Sequence, residues 1–171
     1  MGKARPRKAG ITVRRGKTSD RPQLLRWMRQ LAEEMGDGKK IGEDEAEGIG
    51  PEGLFMAHVG GKPAGFIQLA PEPETFRHRK GSVTGHAIEL GYTDPAHRER
   101  GVFTALDARL ERHAREHPDV ERLISQATHP HVAKVRREGG WTELEAPEFR
   151  KDPKTGKTVC VRPGLFVKEV K

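Results

Sequence analysis

Apolar residues in this chain recur at two different periods, and the period changes at glycines and prolines. Ile11 and Val13 alternate with polar residues as a short strand does. Ser19 or Asp20 then stands where a helix cap belongs, with Pro22 in the first turn. Leu24, Met28, Leu31 and Met35 follow at helical spacing until Gly36 ends the run. Leu54 to Val59 and Ala64 to Leu69 read as two strands across Gly60-Gly61, a dipeptide suited to the positive φ of a tight hairpin turn. A Pro- and Arg-rich connection at 71 to 82 leads to a strand over Thr84 to Thr93, which Asp94-Pro95 interrupts. Val102, Leu106 and Leu110 recur every four residues, predicting a helix from Gly101 to about His117, where Pro118 stops it. Leu123 and Ile124 centre a further strand, and Pro130 to Arg137 suits a short helix closed by Gly139-Gly140. Two last strands, near Thr142 to Phe149 and Val159 to Val167, flank a turn at Asp152 to Lys157. The predicted order is β-α-(α)-β-β-β-α-β-α-β-β, with no internal repeat.

Composition narrows the class. The 33% apolar content is low for a globular chain but sufficient for one core at this length, so residues 11 to 171 are expected to form a single domain. Residues 1 to 10 carry Lys3, Arg5, Arg7 and Lys8 with almost nothing apolar, and are expected to be a disordered basic arm. Residues 36 to 53 hold several glycines around Glu43, Asp44, Glu45 and Glu47, which reads as an acidic loop or a short irregular helix. A single cysteine, Cys160, excludes an internal disulfide framework and multi-cysteine zinc modules, which favours the reducing cytoplasm. No apolar run is long enough to span a membrane, and no signal peptide or lipidation motif is expected at the N-terminus. The net charge of +7 favours anionic ligands, whether nucleic acid or a phosphorylated cofactor.

One segment concentrates chemistry. A strand that enters a polar loop, reaches a glycine and starts an amphipathic helix aims backbone N–H groups and the positive helix end at one point, where an anion belongs. Arg98-Glu99-Arg100-Gly101-Val102-Phe103 is that loop, with Gly101 permitting close backbone approach and Arg98 and Arg100 supplying charge.

Asp94 to Phe103, followed by Thr104, Ala105 and Leu106, resembles the acyl-CoA loop (motif A) of the GNAT superfamily of N-acetyltransferases, Gln/Arg-x-x-Gly-x-Gly/Ala. Arg98 and Gly101 match its first two fixed positions, and Phe103 departs at the third. His129 to Trp141, a short helix ending in Gly140-Trp141, resembles the family's motif B. The resemblance implies a mixed α/β (α+β) fold: a mostly antiparallel sheet of about six or seven strands flanked by helices, whose fourth and fifth strands (84–93 and 120–127) splay apart to admit a cofactor arm. It also implies an N-acyltransferase that moves an acetyl group from acetyl-CoA to a primary amine by direct attack, with no metal. Backbone groups of Arg98, Glu99, Arg100, Gly101, Val102 and Phe103 would hold the pyrophosphate with help from Thr104, and the strand ending at Thr93 would pair with pantetheine. The backbone N–H groups of Gly91 and Tyr92 would face the developing oxyanion.

Glu89 is the candidate base, as the acid within the predicted fourth strand, unless it faces solvent on the outer side of the sheet. His86 is a weaker candidate on the opposite face. The family's usual proton donor to the departing thiolate is a Tyr in motif B. This chain has Arg136 there, which cannot donate near neutral pH, and its one Tyr, Tyr92, lies on another element. The alternative function is therefore a domain that binds CoA or a nucleic-acid backbone without turnover. The acceptor, a small molecule or a macromolecule, is open. The acidic loop at 43 to 47 would favour a cationic amine, the arm and Arg77 to Lys80 would suit nucleic-acid phosphates, and final strands of this kind suit a homodimer. His113-x-x-Glu116-His117 resembles a zinc pattern, but its place beside helix-ending Pro118 is explained as well by cationic complementation of the helix C-terminus.

Overall fold

The computed structural model describes residues 10–35 and 52–171. The basic arm, except Gly10, and the acidic loop at 43 to 47 lie outside the described residues. The chain divides into two compact units, one comprising residues up to Gln68 with Leu90–Leu110, the other Leu69–Glu89 with Glu111–Lys171.

The first unit begins with β1 (Ile11–Arg15), a 3-10 turn at Thr18–Asp20 and helix α1 (Arg21–Met35). Strands β2 (Leu54–Val59) and β3 (Lys62–Leu69) follow. Gly60 and Gly61, at φ 56° and 80°, make the predicted hairpin turn between them, a conformation that a residue with a Cβ adopts only under strain. β1 lies antiparallel on β2, with Ile11 opposite Val59, and β2 lies antiparallel on β3. Nearly every residue of β2 and of β3 from Ala64 onward is buried, so both faces of these strands are covered. On one face Leu24 and Trp27 of α1 pack with Leu54, Met56, Phe66 and Tyr92, and Trp27 stacks on Phe66 with ring centroids 5.9 Å apart. On the other, the beginning of helix α2 (Val102–Glu116) places Arg109 over the Phe55 ring at 4.9 Å. Asp20 does not serve as a simple cap for α1. Its carboxylate accepts two hydrogen bonds from the Arg14 guanidinium, at 2.7 and 2.8 Å, and one from the Lys17 N–H at 2.7 Å.

The second unit contains β4 (Glu74–His78), most of β5 (Gly81–Thr93), β6 (Arg122–Ala127), α3 (Pro130–Glu138), β7 (Thr142–Glu145), β8 (Glu148–Lys151), β9 (Thr158–Arg162) and β10 (Gly164–Glu169). Its main sheet runs β5-β6-β10-β7, with β4 on β5. β5 and β6 are parallel, and the other described pairings are antiparallel. The fold class is the expected mixed α/β arrangement of a mostly antiparallel sheet flanked by helices.

Two parts of the chain depart from the sequence reading. The connection at 71 to 82 contains strand β4, paired residue for residue with Gly81 to Gly85 and joined to it by a Thr75–Thr84 hydroxyl pair at 2.7 Å. Its residues, ETFRH, are mostly exposed, so they lack the apolar alternation that marks a half-buried strand. The two last strands are each split. Thr142–Glu145 and Gly164–Glu169 join the main sheet, while Glu148–Lys151 and Thr158–Arg162 form a separate hairpin. Pro147 and Pro163 sit at the two breaks, where neither can donate to a ladder. A side chain on Gly164 would come within 2.8 Å of Pro147 Cδ, so the close approach there requires glycine.

Candidate functional site

The polar loop leaves β5 at Thr93, passes through a 3-10 turn at Pro95–His97 and enters α2 at Val102. Asp94 fixes its start. The Asp94 N–H donates to the Ala64 carbonyl at 2.8 Å, one carboxylate oxygen accepts from the Ala96 N–H at 3.0 Å, and the other accepts from Trp27 Nε1 at 2.9 Å. Arg98 fixes the middle. Its Nη2 donates to both carboxylate oxygens of Glu34, at 3.0 and 2.8 Å, its Nε donates to the Thr93 carbonyl at 3.0 Å, and its guanidinium lies 5.3 Å from the centre of the Tyr92 ring. The expectation that Arg98 lends free charge to an anion therefore needs correction: its guanidinium is spent on α1, and its contribution to the loop is to hold the backbone in place. With side chains 43% and 38% exposed, this ion pair contributes about 0–1 kcal/mol and acts through geometry more than energy.

The rest of the loop is exposed from Glu99 to Gly101. Glu99 and Gly101 have φ of 63° and 84°. A non-glycine residue in the left-handed region is uncommon, and here it stands two positions before a glycine in the same region, so the backbone curls between them; such alternation of left- and right-handed residues is the kind of turn that forms anion-binding concavities. Val102 is buried and anchors the helix start, Phe103 is half-buried and Thr104 exposed. The first turn of any α-helix leaves its N–H groups without intrahelical acceptors, so the loop and helix together present donors and the positive end of the helix dipole. Arg100 is exposed and has no side-chain partner among the described residues. The arrangement can hold a compact polyanion such as a diphosphate.

β5 carries the candidate base and its neighbours. The parallel ladder with β6 runs from His86 opposite Leu123 to Ile88 opposite Ser125, and stops there although both strands continue. Glu89 is the first residue of β5 past that end. Its side chain is exposed, yet partial shielding of the carboxyl, followed by the nearby charge of Glu74, raises its pKa above the ordinary carboxylate value. His86 is buried, and burial followed by the proximity of His117 lowers its pKa. Tyr92 is buried as well. Its hydroxyl donates to Glu34 Oε1 at 2.8 Å, and burial followed by that hydrogen bond raises its pKa strongly. Its side chain is thus a strut between β5 and α1.

Arg136, at the position where the resemblance expects a proton donor, is one of the most buried side chains, 1% exposed. Its Nε donates to Ser125 Oγ at 3.0 Å and its guanidinium lies 4.4 Å from the Trp141 ring centre. His113 and His117 approach with ring centroids 5.7 Å apart, and among the described residues no group of three His, Cys, Asp or Glu could hold a metal ion. Arg77 to Lys80 occupy the end of β4 and its turn into β5. No described helix is long and apolar enough to cross a membrane.

Trp27 and Glu34 are structural supports that sequence reasoning did not single out, and Asp94, read there as a strand break and the start of the loop, is a third. The Trp27–Asp94 and Arg98–Glu34 links join residues more than sixty positions apart, and no local pattern announces them.

The fold is shared with solved acetyltransferases. YncA, a putative acetyltransferase from Salmonella typhimurium solved with acetyl-CoA, is 13% identical and superposes with a TM-score of 0.65 over 94% of each chain. N-acetylglutamate synthase from Neisseria gonorrhoeae, solved with coenzyme A and N-acetyl-glutamate, is 16% identical with a TM-score of 0.64, covering 96% of this chain and 36% of its own. The ribosomal-protein-S18-alanine N-acetyltransferase of Escherichia coli is 16% identical with a TM-score of 0.61, over 92% of this chain and 91% of its own. At these identities the likeness is one of fold. A comparison with curated proteins finds no match. Sequence carries the assignment further, because the family model for the acetyltransferase (GNAT) family matches residues 22–137, a span that holds the curled loop and all but one residue each of α1 and α3. The chain belongs to the GNAT acetyltransferase family.

Proposed function

We propose that the chain is an N-acetyltransferase that uses acetyl-CoA as donor and a primary amine as acceptor. The observation that carries this reading is the curled backbone from Glu99 to Gly101 at the start of α2, held at Asp94 and Arg98 by α1. The residues fit a CoA diphosphate: a side chain on Gly101 would meet nothing nearer than Ile11 Cδ1 at 3.9 Å, so the loop is open on that side, and Arg100 is free to pair with a phosphate. Backbone N–H groups from Arg98 to Phe103 would hold the diphosphate, with Thr104 at the helix start and the strand end at Thr93 beside the pantetheine arm. When bound, the donor supplies an acetyl group activated as a thioester.

The chain's own part begins with a proton. An amine that arrives as ammonium must lose one, and Glu89, whose pKa is raised above the ordinary carboxylate value by partial burial and then by Glu74, is the group that accepts it. The neutral nitrogen would then form the C–N bond as the C–S bond breaks, with the backbone N–H groups of Gly91 and Tyr92 as the candidates to face the carbonyl oxygen. The proton released from nitrogen leaves through Glu89, and water returns one to the departing sulfur. Arg136 takes no part in that return, because its guanidinium is buried between Ser125 and Trp141.

Thiol release from acetyl-CoA with a panel of amines, measured beside calorimetric binding of CoA, tests this. Turnover that rises with pH in the wild type and is lost in Glu89→Gln, with CoA affinity unchanged, is expected. Tight CoA binding with no thiol release for any amine would favour a binding domain without turnover, and no CoA binding would remove both readings.

A further inference from the structure

The second unit contains a cavity of about 260 Å³ that the loop chemistry does not use. It opens between the β4–β5 hairpin, the end of β6, and the point where the outer hairpin rejoins the main sheet. Arg77, Arg79 and Arg162 line it with Gln126 and Glu145, and Phe76, Pro163 and Leu165 give it an apolar wall. Three arginines and one glutamate contribute to the lining, and that glutamate is already engaged. Glu145 accepts from the Arg79 N–H, and its second oxygen lies 3.8 Å from the Arg79 Nε. Arg162 is only loosely paired, with Glu148 at 3.6 Å and both side chains about half exposed. Arg77 has no partner among the described residues. The residues around the cavity therefore carry an excess of positive charge, and the Arg77 side chain is the uncommitted one among them.

Its place on β6 joins it to the proposed base. The β5–β6 ladder ends at Ile88 opposite Ser125, so the next residue on β5 is Glu89 and the next on β6 is Gln126, which lines the cavity. Glu74, whose charge raises the Glu89 pKa, stands two residues before Phe76 on β4. An acceptor with its nitrogen at Glu89 would direct its remaining atoms toward the arginines. The volume lies below the roughly 300–1,000 Å³ of sites for drug-sized ligands. It suits a carboxylate on a short carbon chain better than a nucleotide, and the apolar wall suits the methylenes of such a chain.

Resting on the acetyltransferase reading, we propose that this cavity is the acceptor's anion subsite and that the substrates are small amines carrying a carboxylate. Two measurements on the full chain test it. In the first, kcat/KM for thiol release is compared between L-glutamate, L-methionine and other amino acids and their carboxamides. The acids are expected to lead by at least about tenfold, the worth of one charge-assisted hydrogen bond, and Arg77→Gln to shrink that lead by a similar factor. Equal rates for acid and amide in the wild type, or a lead that Arg77→Gln and Arg162→Gln both leave intact, would overturn the proposal.

The second measurement does not depend on turnover. Glutarate, which has no amine, is titrated calorimetrically into wild type and Arg77→Gln in the presence of CoA. Binding that weakens about tenfold in the variant supports the subsite. No binding at millimolar glutarate, or equal competition by inorganic phosphate, overturns it. Glutarate binding without acyl transfer to any amino acid would leave the cavity assignment standing while the acetyltransferase reading fell.

Discussion

Replacing Gly101 by alanine separates the loop's role in binding from its role in folding. Gly101 sits at φ 84°, and the new methyl group would meet only Ile11 Cδ1, at an ordinary 3.9 Å. Nothing collides, so the penalty is conformational. Placing a residue with a Cβ in the left-handed region costs about 1–2 kcal/mol. For a chain of this size that lowers Tm by roughly 2–8 °C. The loop can relieve the strain by rotating the Arg100–Gly101 peptide, which turns an N–H away from the place where a phosphate would lie. Each hydrogen bond to a charged group is worth about 1.5–3 kcal/mol, so CoA affinity is expected to fall by roughly ten- to a hundredfold.

Gly156→Ala is the matched control. Gly156 has φ 67°, no atom within 4 Å of the added carbon, and a place in the β8–β9 turn far along the chain from the loop. It carries the same strain and no expected change in CoA binding. Thermal melts and calorimetric CoA titrations of both variants make the comparison. If Gly101→Ala lost stability like Gly156→Ala and yet bound CoA as the wild type does, the loop would not be gripping the diphosphate, and the reasoning behind the site would fail.

Three further outcomes follow from the same structure. The pKa of Glu89 is raised, so the acidic limb of the kcat/KM profile should be displaced upward from that of an unperturbed glutamate, and Glu89→Gln should remove that limb; a limb unchanged in the variant would place the base elsewhere. Asp20 has a lowered pKa, chiefly through the Arg14 hydrogen bonds, so the stability it contributes is present above the unfolded carboxylate pKa and is lost as pH falls through the lower folded value. Acid melts of Asp20→Asn should therefore be flatter below about pH 4 than those of the wild type, and a slope identical to wild type would show that the pair contributes nothing. Ser125→Ala removes an acceptor from the buried Arg136 guanidinium and should destabilise the chain by about 1–3 kcal/mol, read as a drop in the denaturant midpoint; a loss below about 0.5 kcal/mol would mean that the Ser125 bond is dispensable.

Local chemistry alone determined a good deal of this protein. The Gly60-Gly61 turn, the helices over Arg21–Met35, Val102–Glu116 and Pro130–Glu138, and the strand-to-loop-to-helix passage around Gly101 all follow from residues close together in the chain. Their signals are short-range: a positive φ, a period of 3.6, a proline that stops a helix. The GNAT resemblance could be read from the same segment for the same reason. Strand β4 escaped because an exposed ladder needs no apolar alternation, and the division of the last strands depended on how Pro147 and Pro163 meet the main sheet.

Tertiary structure decided what the charged residues do. Arg98, Arg100, Arg136 and Arg77 are chemically alike in the sequence, yet one is tied to Glu34, one is free in the loop, one is buried against Trp141 and one lines a cavity. The Trp27–Asp94 and Arg98–Glu34 links that steady the loop, and the Tyr92 hydroxyl bonded to the same Glu34, exist only once α1 lies against β5. A guanidinium's role depends on which carboxylate, ring or solvent lies within a few ångströms, and that is set by packing between distant segments rather than by neighbours in the chain.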